Sequence, residues 1–125
     1  MKMKYLILIS FLFLGCGQDF NSNSFDKERY GDTGIDTSTP AGQRFSKAYT
    51  VFENNCISCH TGYHNIYSGY TTSEAWIDAG LVVAGDFSGS FLIQKLQNYG
   101  GNMPQGSSQL SETEITNLND WITNL

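Results

Sequence analysis

Cys56-Ile57-Ser58-Cys59-His60 is the most informative stretch of this 125-residue chain. The pattern C-x-x-C-H reads as an attachment site for a c-type haem. On a helix, residues three apart lie on one face about one turn apart. Cys56 and Cys59 can therefore reach the two vinyl groups at one edge of a porphyrin. His60, immediately after them, can bind the iron from the proximal side, and the thioether bonds would keep the cofactor from leaving. Two rival chemistries use the same residue types. A thioredoxin-like dithiol needs the motif after a strand, within a parallel-sheet domain, and no run of strands precedes it here. A zinc site would recruit Cys56, Cys59, His60 and His64, but ligands packed this closely do not resemble the separated pairs of structural zinc sites.

Upstream of the motif, Thr39-Pro40 suits a helix start, with Thr as cap and Pro at the first helical position. Phe45, Ala48, Tyr49 and Phe52 then form one apolar stripe. Asn54-Asn55 marks a bend or a continuation into the motif. Downstream, the Gly- and Tyr-rich stretch 62–70 reads as loop over one edge of the cofactor, and Tyr63, Tyr67 and Tyr70 are candidates to hydrogen-bond a propionate. A short helix over 71–79 is expected, capped by Thr72 or Ser73, with Trp76 inward and Gly80 closing it. Leu81-Val82-Val83-Ala84 is apolar and extended or irregular. The spacing of Leu92, Leu96 and Tyr99 predicts a further helix from Ser88 or Ser90 that buries all three and stops at Gly100-Gly101. Residues 102–106 then form a tight loop bearing Met103, the one methionine beyond the amino-terminal leader. In the last helix Ser111 and Glu114 form a capping box. Its stripe of Ile115, Leu118, Ile122 and Leu125, with Trp121 beside it, complements the stripe of the first helix.

The amino terminus has a different character. Lys2 and Lys4 precede a ten-residue apolar run, Tyr5 to Leu14, broken only by Ser10. A bilayer-spanning helix needs about 20 apolar residues, so residues 1–15 read as a signal peptide. The run ends at Leu12-Phe13-Leu14-Gly15-Cys16 and resembles a bacterial lipoprotein signal, which implies that Cys16 is acylated and becomes the first mature residue. Phe13 and Leu14 depart from that pattern. An ordinary secretory signal with an incidental Cys16 is the alternative, and it would leave a soluble periplasmic protein. Residues 16–39 are rich in Asn, Ser, Asp, Gly and Thr without helical or strand period, and read as a lipid-anchored flexible tether. Docking of Phe20, Phe25 and Tyr30 onto the domain is the other possibility. Residues 40–125 form the folded domain.

The formal charge is −5, from seven bases and twelve acids. Removal of residues 1–15 takes Lys2 and Lys4 and makes it more acidic still. Nucleic acid is an unsuitable partner for such a chain, and a basic docking surface on a protein a suitable one. Three cysteines are accounted for if Cys56 and Cys59 hold haem and Cys16 carries lipid.

Residues 42–125 resemble a small class I, mono-haem cytochrome c of bacterial envelopes. The resemblance rests on Phe52-Glu53-Asn54-Asn55-Cys56 before Cys59-His60, on Val83-Ala84-Gly85-Asp86 with Ser90-Phe91-Leu92, on Asn102-Met103-Pro104, and on Leu110-Ser111 leading to Glu114-Ile115 and Trp121-Ile122. It departs at Ala84, where the family often has Pro. The resemblance implies an all-α, cytochrome c-like fold with amino- and carboxy-terminal helices packed crosswise around one covalently attached haem c. It implies thioether bonds to Cys56 and Cys59, with His60 as proximal and Met103 as distal axial ligand. The implied activity is one-electron transfer between a redox donor and an acceptor, without catalysis. A haem-based ligand-binding sensor with an open distal site is an alternative. So is an electron-delivery subunit of a larger dehydrogenase or oxidase complex.

Overall fold

In the computed structural model, which describes residues 34–62 and 66–125, helix α1 runs over Pro40–Asn55. The leader, Cys16, Phe20, Phe25, Tyr30, Tyr63 and His64 lie outside the described residues. Thr39 caps α1: its Oγ1 accepts from the Gly42 N–H at 3.1 Å, and Pro40 fills a position where no N–H is needed. The chain just ahead of the helix is held against it. The Gln43 side chain donates to the Thr37 carbonyl at 3.2 Å, and Ile35 packs on the core.

The apolar stripe of α1 is buried as its spacing requires, with Phe45, Ala48, Tyr49, Val51 and Phe52 all inside. Its partner is the last helix, α4 (Glu112–Thr123), through Leu118, Trp121 and Ile122. Phe45 and Phe52 meet the Trp121 ring at centroid distances of 5.3 and 5.8 Å. The capping box forms in both directions, between the Ser111 hydroxyl and the Glu114 N–H and between the Glu114 carboxylate and the Ser111 N–H. Two features of the predicted stripe fail. Leu125 lies beyond the helix and is exposed, and Ile115 is only half-buried.

Between these helices the chain passes through a 3₁₀ turn at Tyr67–Gly69 and helix α2 (Ser73–Asp78), capped by Thr72. Trp76 on α2 is fully buried and stacks on Phe52 at 4.0 Å. Its indole N–H is satisfied by the Tyr70 carbonyl at 2.8 Å, as a buried indole requires. Residues 83–86 make a tight turn in which Asp86 N–H donates to Val83 at 3.0 Å and Gly85, at φ 75°, donates to the Ile122 carbonyl of α4. Ser90, fully buried, ties this turn to the helix that follows it: its hydroxyl donates to the Asp86 carbonyl and accepts from the Val83 N–H.

The predicted long helix from Ser88 or Ser90 through Tyr99 does not form. Helix α3 covers only Phe91–Gln94, Leu96 turns extended, and a 3₁₀ turn follows at Gln97–Tyr99. Leu92 and Leu96 are buried as expected, but Tyr99 is about half exposed. The break has a backbone cause. Leu96 pairs in parallel with Met103, so the Lys95 carbonyl accepts from Met103 and the Gln97 N–H donates to Met103 instead of continuing the helix. Among the described residues there are four α-helices, two 3₁₀ turns and isolated bridges, with no strand: a small all-α fold of cytochrome c type.

Candidate functional site

The haem-type motif leaves α1 at its last residue. Cys56 has φ −125° and ψ −46°, outside helical values, so the pentapeptide is a separate turn and not the end of the helix. Its spacing survives, because Cys59 N–H and His60 N–H both donate to the Cys56 carbonyl, at 3.2 and 3.0 Å. Cys56 is half-buried and Cys59 exposed. Burial first, then the Glu114 carboxylate and Cys59, pushes the Cys56 thiol up to about 12. A thiol so shifted stays protonated at neutral pH, the opposite of what a reactive dithiol needs.

His60 is oriented by a ring that the sequence did not single out. Its imidazole lies parallel to Tyr67, with centroids 4.1 Å apart and planes within 2°. Tyr67 is itself buried and continues into Trp76 at 4.9 Å. Burial, then Cys56 and Tyr70, pushes its phenol up to about 12, so it remains neutral. The Thr61 to Ile66 bridge and the Tyr67 N–H to His60 carbonyl bond close this loop on the motif.

Met103 comes from a separate loop. Its N–H donates to the Lys95 carbonyl at 2.9 Å, and its carbonyl accepts from the Gln97 N–H at 2.7 Å. This crossing requires Gly101, because a Cβ there would sit 2.1 Å from the Lys95 carbonyl oxygen. The loop ends at Leu110, whose N–H and C=O both pair with the Asn98 carboxamide.

Cys56, Cys59, His60 and Met103 all line one cavity of about 490 Å³. That volume lies in the usual range for a ligand or cofactor site. Tyr67, Leu81, Phe91, Leu92 and Leu96 supply apolar wall, and Lys95, with its ammonium 4.6 Å over the Phe91 ring, is the only charged side chain lining it among the described residues. Two thiols and an imidazole from one short turn, sharing a cavity with a thioether from a distant loop, form the donor set that a covalently held haem needs.

A comparison with characterised proteins agrees. The chain is 30% identical over 73 residues to cytochrome c6 of Chlorolobion braunii, an alignment that takes in 58% of this chain and 80% of that protein. The chain belongs to the class I c-type cytochromes. No family model and no solved structure matches it.

In this cytochrome the course of the chain after Gln94 was the part that sequence periodicity missed. Phe91 lines the cavity from α3, and Lys95 and Leu96 line it from just past the helix end, where periodicity expected the helix to continue. The paired glycines at 100 and 101 were the available signal, since close main-chain crossings favour residues without a Cβ. Asn55 is a second omission: its amide donates to Glu114 Oε1 at 2.7 Å, joining the end of α1 to the start of α4 beside Cys56. Among the described residues no three His, Cys, Asp or Glu side chains form a group able to hold a metal ion, and no helix is long and apolar enough to cross a membrane.

Proposed function

We propose that this cytochrome is a mono-haem one-electron carrier in which Cys56 and Cys59 hold haem c through thioether bonds and His60 and Met103 are the axial ligands. The observation that supports it is the meeting of all four side chains on one cavity. When bound, haem supplies an iron that gains and loses one electron. The protein residues do the rest. Tyr67 stacks parallel to the His60 imidazole, and the apolar wall suits the face of a porphyrin. Met103, a neutral soft donor, favours ferrous iron and raises the reduction potential. With both axial sides filled by protein, small molecules have no open position, and the chain carries electrons without bond chemistry of its own.

Residues 1–15, read as a signal peptide, support a location in the periplasm or cell envelope. Acylation of Cys16 would tether it to a membrane, with residues 16–39 as the spacer. Its partners would be a redox donor and an acceptor, and its acidic balance suits a basic docking surface.

The test is a reduced-minus-oxidised spectrum with haem quantitation for the wild type and Met103→Ala. Expected are one covalent haem per chain, low-spin in the wild type, and loss of the long-wavelength Met-to-iron band in the variant with haem content unchanged. A band indifferent to the substitution would remove Met103 as ligand. A wild-type ferrous spectrum that changes with carbon monoxide would indicate a ligand-binding haem instead of a carrier.

A further inference from the structure

The Met103 loop carries a second tie, beyond its two main-chain bonds. The Gln97 side chain donates through Nε2 to the Pro104 carbonyl and, at 3.2 Å, to the Ser107 carbonyl. Pro104 is buried and Gln97 half-buried. One carboxamide thus serves two acceptors in the turn that follows Met103, while the N–H of the same residue holds the Met103 carbonyl at 2.7 Å. The turn is bonded to the segment that precedes it at Met103 itself and again at Pro104 and Ser107. A methionine on an unbraced loop could swing away from the cavity at little cost. Here that motion requires the Gln97 bonds to break, leaving the Pro104 and Ser107 carbonyls without that donor.

Building on the His60/Met103 reading above, we propose that Gln97 is the positioning residue for Met103, holding the thioether in the cavity against competing ligands. Gln94 provides a control within the same segment. It is exposed, and its Nε2 also donates to two carbonyls, those of Ser88 at 3.3 Å and Gly89 at 3.4 Å, on the loop ahead of α3. The two glutamines share residue type and bonding pattern, and differ in which loop they brace.

The experiment titrates imidazole into the ferric, haem-loaded full chain and follows the Met-to-iron band in wild type, Gln97→Ala, Gln97→Glu and Gln94→Ala. Gln97→Glu keeps the shape of the side chain and removes its donor, so it serves if the alanine variant folds poorly. Loss of the clamp should tighten imidazole binding about tenfold in both Gln97 variants and leave Gln94→Ala within about twofold of wild type. Equal behaviour of Gln97→Ala and Gln94→Ala, or a Gln97→Glu protein that binds imidazole like wild type, overturns the positioning role. A wild type that lacks the band removes the His60/Met103 reading, and this inference with it. A wild-type band with no difference among the variants removes this inference alone.

Discussion

The helical core that carries the cysteine turn and the segment that carries Met103 are built by different physics. On the cysteine side, α1, α2 and α4 interlock through aromatic rings: Phe52 stacks on Trp76 at 4.0 Å, and Trp121 meets Phe45, Phe52 and Trp76 at 5.3 to 6.1 Å. Such ring pairs add to the large apolar area that each side chain buries. On the methionine side, residues 91–110 hold little continuous helix, and the segment is ordered by polar pairing. Leu96 bridges Met103, Gln97 braces the turn beyond it, and Asn98 takes both polar groups of the Leu110 main chain. Burial of large side chains gives cohesion without fine placement. Hydrogen bonds between fixed main-chain groups place one side chain closely while adding modestly to stability.

The largest effect is therefore expected in the helical core. Trp121 is almost wholly buried, and its indole N–H donates to Ser73 Oγ at 2.9 Å. Trp121→Ala should lower the unfolding free energy of the haem-loaded protein by about 3–5 kcal/mol, read by denaturant titration. Whatever remains folded should keep its Met-to-iron band. Gly101→Ala should behave in the reverse way. A methyl group there would lie 2.1 Å from the Lys95 carbonyl oxygen and also meet the Lys95 carbonyl carbon, so the crossing that carries Met103 must open. About 1–3 kcal/mol of stability is expected to go, and with it the Met-to-iron band. If Gly101→Ala instead matched the loss seen for Trp121→Ala and kept the band, the two regions would not be separable.

The same division explains what could be read from the sequence. The stripe Phe45, Ala48, Tyr49 and Phe52 is legible because burial on a helix imposes a period, and the Ser111/Glu114 capping box because its two residues are local. The pentapeptide 56–60 is legible because the chemistry fixes its spacing. The period of Leu92, Leu96 and Tyr99 misled, since a helix reading assumes that each N–H finds its carbonyl four residues back. At Gln97 the better acceptor is the distant Met103 carbonyl. No local pattern records that choice. Tyr67 likewise could not be told from Tyr63 or Tyr70, because its place against His60 depends on how the loop returns to the motif.

Glu114 joins the two kinds of order, and its effect should be the smallest. Its carboxylate accepts from the Ser111 N–H and hydroxyl, both at 2.8 Å, and from Asn55 Nδ2 at 2.7 Å. The Ser111 bonds were predictable from the capping box, while the Asn55 bond exists only because α1 and α4 pack. Burial works to raise this carboxyl, but the hydrogen bonds from the Ser111 main chain, Asn55 and the Ser111 side chain outweigh it and hold the group below its ordinary value. Protons then bind the unfolded chain more readily than the folded one. The resulting stabilisation is present above the unfolded value and is lost as pH falls through the folded one. Glu114→Gln keeps an acceptor for Asn55 and for the cap but cannot ionise. At neutral pH it should be less stable than wild type by about 1 kcal/mol, the usual difference between a charged and a neutral acceptor. Unfolding free energies measured against pH should show that gap closing through the carboxylate range. A gap that stayed constant into acid would mean that Glu114 acts by shape alone, and that the helix pair is joined without help from its charge.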